Sequence, residues 1–413
     1  MGYLCDLVQA ARNDRAMLNE TKERYAQGIR LLPPYLFAEI DRRKEAARKK
    51  DVDIIDLGIG DPDLPTPAHI VEALYKAAQN PDNHRYPSYE GMLSFREAVA
   101  AWYNRTKRVT VDSENEVLTL IGSKEGLAHS VFAFLNPDDI ALVPDPAYPV
   151  YHNATILANA IPHAVPLLEE NDFKPDLEKI AKEVVKRAKI MFLNYPNNPT
   201  AATVDTSFFK EVVDFARDND IIILHDNPYS ELVFDGYESP SFMAVKGARE
   251  VGIEFNSLSK TYNMTGWRIG FAVGNAEILQ GIGTVKTNID SGAFQAVQEA
   301  GIAALTGSQD CIKQNVAIYR ARRDILVDGL QTAGLEVNKP KATFYLWAKV
   351  PNTTEVSDSS SIQFSMFLLE RTGVVVTPGV GFGKYGEGFV RFAFCTSGER
   401  LAEACERIKA QGL

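Results

Sequence analysis

From about residue 68 to 290, short apolar runs alternate with stretches in which apolar residues recur every three or four positions. The runs predict buried strands at Val117–Ile121, Ile140–Val143, Ile161–Pro166, Ile190–Leu193, Ile221–His225, Ile253–Asn256 and Ile269–Val273. The periodic stretches predict helices, among them Lys124–Leu135, Leu177–Val185 and Phe208–Asp218. Alternation of this kind implies an α/β domain, a mostly parallel seven-stranded sheet flanked by helices. A long helical stretch follows, from about Gln295 to Leu330. Strands at Thr343–Lys349, Val374–Val376 and Val390–Phe394, with helices around Phe364–Arg371 and Arg400–Ala410, then predict a smaller α+β domain. Upstream, Asp53 to Gly60 reads as a strand ending in a glycine turn, and Leu32 to Phe37 opens a helix through a basic stretch. The expected division is an N-terminal arm over 1–30, a small domain over 31–55 and 296–413, and a large domain over 56–295. No internal repeat is visible, and Ser357–Ser361 reads as a short polar loop.

Composition narrows the class. The 413 residues are 45% apolar and 24% charged, ordinary for a globular enzyme, and the net charge of −10 argues against a nucleic-acid surface. The basic run from Arg42 to Lys50 is interleaved with acids and reads as one solvated helix face. Cys5, Cys311, Cys395 and Cys405 show no C-x-x-C pairing, so neither a zinc site nor a disulfide framework is expected. The histidines show no metal spacing. No apolar run is long enough to span a bilayer and no signal-like segment opens the chain, so a cytoplasmic protein is expected.

The chemistry concentrates in Asn256-Ser257-Leu258-Ser259-Lys260, continuing to Arg268. One amine stands among small hydroxyls, with a guanidinium eight residues on. A cofactor with an aldehyde and a phosphate needs that combination: the amine condenses with the aldehyde, and the hydroxyls and guanidinium hold the dianion. Other suggestive residues also fall at predicted strand ends, where ligands of open α/β sheets bind. Asn198 follows the strand at 190–193, Asp226 and Tyr229 follow that at 221–225, and Gly122-Ser123-Lys124 opens a helix whose first amides suit a phosphate.

In order, spacing and strand position these motifs closely resemble those of the class I and II aminotransferases, the fold-type I pyridoxal-phosphate enzymes. The resemblance covers roughly residues 33–410. It implies pyridoxal 5'-phosphate as cofactor, with Lys260 as its covalent anchor and proton carrier. It implies Asp226 as partner of the ring nitrogen, Tyr229 and Asn198 as donors to the phenolic oxygen, Tyr148 as the stacking aromatic, and Pro228 on the opposite ring face. Ser123, Lys124, Ser257 and Arg268 match phosphate ligands. Tyr86 matches a tyrosine that reaches the phosphate of a neighbouring subunit, which implies a homodimer with shared active sites. Arg391 matches the clamp on the substrate α-carboxylate, with Gly60 and Asn198 beside it.

Within that family, the stretches LPPYLFAEIDRR, LGIGDPDLPTP, LIGSKEG, NYPNNPTAAT and SLSKTYNMTGWRIG most resemble LL-diaminopimelate aminotransferases. Their reaction moves an amino group between LL-2,6-diaminopimelate and 2-oxoglutarate, giving tetrahydrodipicolinate. Tyr35 matches a substrate-facing tyrosine of that group. Lys124 and Tyr151 are further donors for the substrate's distal end, and a partner subunit's segment 288–291, Asp290 above all, is chemically apt for the distal ammonium. Transamination of alanine, aspartate or another amino acid, and an oxidase or lyase reaction with the same cofactor, are the alternatives. Gly381-Phe382-Gly383-Lys384-Tyr385-Gly386 spells G-x-G-x-x-G, but a strand follows where a dinucleotide site needs a helix, so a flexible loop near the carboxylate is expected. His225 is expected to support Asp226 from behind.

Overall fold

The computed structural model describes residues 24–33, 42–45, 49, 51–351 and 359–412. The strands are β1 (Ile55–Asp56), β2 (Val117–Leu120), β3 (Ile140–Asp145), β4 (Ile161–Pro166), β5 (Ala188–Asn194) and β6 (Ile222–Asp226). They continue with β7 (Gly252–Ser257), β8 (Gly270–Gly274), β9 (Tyr345–Lys349), β10 (Val374–Val375), β11 (Thr377–Pro378) and β12 (Phe389–Ala393). Seven of them form one sheet in the order β2-β8-β7-β6-β5-β3-β4. The pairs among β3 to β7 are parallel, and β8 runs antiparallel to both of its neighbours.

Both faces of this sheet are covered, which explains the near-continuous apolar runs. Along β5, Met191 and Leu193 enter one core while Ile190 and Phe192 enter the other, as a period of two requires. The helix Ser123–Phe134 approaches closely because Gly126 has no side chain to collide with Leu120 and Phe255.

The smaller domain has its own core and an antiparallel sheet in the order β11-β12-β9. β1 pairs in parallel with β10, and Leu57 packs into the core formed around the smaller sheet. Two predicted helices break. The stretch 177–185 becomes a 3-10 turn (Leu177–Lys179) and a short helix (Lys182–Val185), because Ile180 takes an extended conformation and buries its side chain. The stretch 295–330 becomes Gln295–Thr306 and Asp310–Thr332, separated at the extended Gly307. Residues 1–23 of the arm, the segment 34–41 and residues 357–358 of the 357–361 loop lie outside the described residues. Among the described residues no helix is long and apolar enough to cross a membrane.

Candidate active site

The parallel strands deliver their carboxyl ends to one edge of the large sheet, facing the smaller domain. A cavity of about 1120 Å³ opens there. Of the residues singled out in the sequence, Gly60, Ser123, Lys124, Tyr148, Asn198, Asp226, Pro228, Tyr229, Ser257, Lys260, Arg268 and Arg391 all line it.

Lys260 stands in the single turn Leu258–Thr261 after β7, capped by Ser257, whose Oγ accepts from the Ser259 amide at 3.2 Å. Its Nζ donates to the Gly60 carbonyl at 3.1 Å. Burial lowers its pKa below the usual lysine value, with Arg268 and Arg391 adding to the effect and Asp61 opposing it. The neutral amine is the form that attacks an aldehyde or takes a proton, and the lowered pKa makes more of it available near neutral pH.

Asp226 ends β6. Its Oδ2 accepts from the Tyr151 hydroxyl at 2.7 Å. Its Oδ1 is buried and has no partner among the described residues. Burial pushes the carboxyl up to about 6, against the pull of Tyr151 and His225. A buried oxygen of this kind calls for a donor from a bound molecule.

At the other end, Gly122 takes φ +92° and leads into the helix Ser123–Phe134. A Cβ at Gly122 would collide with the Arg268 guanidinium, so the glycine gives that group its place beside the helix start. Hydroxyls of Ser123 and Ser257, the Arg268 guanidinium and a helix N-terminus thus line one side of the cavity. Lys260, Asp226 with its free oxygen, and this anion cradle together fit a pyridine ring that carries an aldehyde and a phosphate.

Arg391 rises from β12. Its Nη1 donates to Asn198 Oδ1 and its Nη2 to the Gly58 carbonyl, both at 2.7 Å. Its Nε is buried and has no partner among the described residues. The guanidinium lies between the rings of Tyr345 and Phe382, 4.2 and 4.6 Å from their centroids. Asn198 is held in turn, its amide donating to Asn194 Oδ1 at 2.8 Å, while Asn194 Nδ2 donates to the Asp226 carbonyl at 2.8 Å.

Some expectations change. Tyr151 does not line the cavity; fully buried, it stacks on Phe192 and spends its hydroxyl on Asp226. It stands three residues after Tyr148 across a helix start, a spacing that could have placed the two together. His225 points to the opposite sheet face from Asp226, as neighbours in a strand must, and faces Glu254 at 3.2 Å and the Tyr195 carbonyl at 3.1 Å. Asp290 is already engaged in its own subunit, by Lys286 at 3.2 Å and by the Gly292 amide at 2.8 Å, which removes it as a free receptor for a distal ammonium. Glu125, His129 and Asp290 have metal-like spacing, but the Lys286 ammonium lies 3.2 Å from both carboxylates and makes this an ion cluster.

The G-x-G-x-x-G segment is pinned rather than free: Asp145 accepts from the amides of Lys384 and Tyr385 at 3.2 and 3.0 Å. Tyr86 is 88% exposed and does not line this cavity. Tyr35 lies outside the described residues. Phe382, in the loop expected near the carboxylate, does lie beside Arg391, whereas Tyr345 and Asn194 carry no sequence signal and reach the site only through the tertiary fold.

The model of the family described as aminotransferase class I and II matches residues 52–408. The LL-diaminopimelate aminotransferase of Moorella thermoacetica is 54% identical over 384 residues, covering 93% of this chain and 97% of that protein. That of Syntrophobacter fumaroxidans is 56% identical over 384 residues, covering 93% and 98%. Among solved structures, substrate-bound BacF from Bacillus subtilis superposes with a TM-score of 0.89 at 41% identity, covering 94% of this chain and 98% of that one. A single mutant of Thermus thermophilus aspartate aminotransferase gives 0.87 at 29% identity, covering 94% and 99%.

Proposed function

The chain belongs to the class I and II aminotransferases, and on that premise we propose that it moves an amino group from LL-2,6-diaminopimelate to 2-oxoglutarate, with tetrahydrodipicolinate as the cyclised product. It is a pyridoxal-phosphate-dependent aminotransferase of the fold-type I architecture. The observation that carries the choice of substrate is similarity at more than half identity, over 93% of the chain, to bacterial proteins named for that reaction.

When bound, the cofactor supplies an aldehyde that condenses with amines and a ring that accepts the electron pair left when Cα loses its proton. The rest falls to the protein. The Lys260 Nζ, held below its usual pKa, would be the group that takes the proton from the substrate Cα and carries it. The Asp226 oxygen that has no partner among the described residues would pair with the ring nitrogen and keep a proton on it. Tyr229 and Asn198 donate toward the phenolic oxygen. Ser123, Ser257 and Arg268 hold the phosphate, and Tyr148 covers the ring. Arg391 receives the α-carboxylate of the amino acid and then that of the oxo acid, giving both substrates one anchor. Lys124, at the cavity wall, suits the distal carboxylate. The active form is a cytoplasmic homodimer in which Tyr86 of each subunit completes its neighbour's phosphate site; the exposure of that side chain supports this.

The test is a matrix of donors. Purified protein is given LL-diaminopimelate, alanine, aspartate, arginine or an aromatic amino acid, with and without 2-oxoglutarate and oxygen. Glutamate should form from 2-oxoglutarate, fastest by at least tenfold with LL-diaminopimelate. Equal or faster glutamate formation from another donor would overturn the substrate, and oxygen-dependent keto acid without glutamate would overturn transamination.

A further inference from the structure

We propose that Tyr345 is a positioning residue that donates its hydroxyl proton to Tyr229, so that the Tyr229 proton is left to point into the cavity, and that its ring supports Arg391 from below. The proposal deepens the reading of this cavity as a pyridoxal-phosphate site and rests on it.

Tyr345 is 3% exposed and stands on β9 of the small domain, whereas Tyr229 follows β6 of the large one. Their hydroxyls are 3.1 Å apart. Two phenols share this contact, and only one can donate across it. If Tyr229 donates, its single proton is used up inside the protein. If Tyr345 donates, the Tyr229 oxygen is satisfied from behind and its proton stays available to a bound acceptor.

The surroundings choose the second arrangement. The Arg391 guanidinium carbon stands 4.2 Å over the Tyr345 ring. A cation over the ring face draws electron density from the phenol and strengthens it as a donor. Burial raises both phenols, but for Tyr345 the Arg391 charge is the next influence and works against the rise, whereas for Tyr229 the next influence is Tyr345 itself, which adds to it, and Arg391 opposes the rise only as a smaller one. The stronger acid donates. The other charged or titratable groups facing the pair are Asp226, Cys395 and Asp61.

Gly60 completes the arrangement. A Cβ there would collide with the Tyr345 hydroxyl. The bare backbone at 60 therefore admits the phenol and, through its carbonyl, holds Lys260. Tyr345 thus joins three functional groups: the Arg391 clamp, the Tyr229 donor and the turn that receives the lysine.

The two parts of the side chain can be removed separately. In Tyr345→Phe holoenzyme the ring remains under Arg391 and only the hydroxyl is lost. A donor to the phenolic oxygen of the cofactor favours its anion, so a weakened Tyr229 shifts the pH midpoint of the bound cofactor's visible absorption upward. We expect a rise of about half a pH unit or more, with KM for the amino acid changed less than about threefold. In Tyr345→Leu the ring is lost as well, and KM should rise about fivefold or more through loss of the cation–ring contact. A midpoint in Tyr345→Phe that is unmoved, or that falls, would overturn the donor assignment. A parent-like KM in Tyr345→Leu would overturn the support of Arg391. A parent protein that develops no visible band with pyridoxal phosphate would instead remove the underlying reading, and this proposal with it.

Discussion

Asp226 gives one carboxylate oxygen to Tyr151 and keeps the other buried without a partner. Its pKa in the folded chain, about 6, lies above that of an unfolded aspartate, about 3.9. The folded state therefore binds the proton more tightly. Stability from this site is greatest below about pH 4, falls as pH rises toward 6, and stays reduced above it. A shift of that size corresponds to about 3 kcal/mol. Asp226→Asn, which can still accept from Tyr151, should raise the melting temperature of the cofactor-free protein at pH 8, and the gap should close near pH 4. With pyridoxal phosphate added the order should reverse, and turnover should fall at least about a hundredfold for want of the carboxylate. Equal melting of the two cofactor-free proteins at pH 8 would contradict the penalty. The cofactor residues were legible because each follows a strand that the hydrophobic pattern locates, so sequence position alone sends it to the ligand edge. Tyr345 was not, since its partners Tyr229, in the turn after β6, and Arg391, on β12, are more than forty residues away and only tertiary packing joins them. His225 supports Asp226 only through its charge, because adjacency in a strand means opposite faces and its ring nitrogens go to Glu254 and the Tyr195 carbonyl.

Among the elements, six strands of the large sheet were readable because each is buried on both sides and needs a continuous apolar run, whereas the edge strand β4 buries only Val165 and showed through its run Ile161–Pro166. The breaks at Ile180 and Gly307 were not, because a helical period continues across them and only packing reveals the interruption. The helix Ser123–Phe134 is tied to Ala276–Ile289 by charge as well as by apolar contact. Lys286, with a fully buried side chain, donates to Glu125 and Asp290. Glu125 in turn accepts from the Ile121 amide at 3.0 Å, just before the turn at Gly122, and Asp290 accepts from Gly292. The ammonium therefore fixes both the start of the cofactor helix and the turn at 290–292. Lys286→Met would leave two largely buried carboxylates beside one another with His129, 2.6 Å from Glu125, as the remaining partner, and removing the cation from such a cluster costs up to about 3–5 kcal/mol. Its urea midpoint should fall accordingly, and adding Glu125→Gln with Asp290→Asn should restore part of the loss. A triple variant no more stable than Lys286→Met would mean that packing, not charge, matters here.

At the scale of the whole molecule, the large and small domains meet over the cavity, and a bidentate pair, Arg322 with Asp63 at 2.6 and 2.8 Å, bridges the long helix Asp310–Thr332 to the segment after Gly60. One face remains conspicuously apolar: Tyr75 is 67%, Tyr86 88% and Ile289 61% exposed, joined by Tyr89, Leu93 and Phe294. These side chains come from neighbouring elements. Gly292 would meet Pro87 and the Ser88 carbonyl if it carried a side chain, and the rings of His84 and Phe294 lie 6.4 Å apart. A face of this composition marks an interaction surface, and the proposed homodimer supplies its partner. If so, burying this face and completing the phosphate site are one event. Ile289→Glu combined with Phe294→Glu places like charges where the two copies meet, and light scattering should report a monomer. That monomer should bind pyridoxal phosphate at least about tenfold more weakly than the parent, having lost the neighbour's Tyr86 hydroxyl from the phosphate. Tyr86→Phe separates the two effects, because it should remain dimeric and still bind the cofactor more weakly. A monomeric parent would remove the interface, and a charged double variant that is monomeric yet binds with parent affinity would show that each subunit holds its phosphate alone.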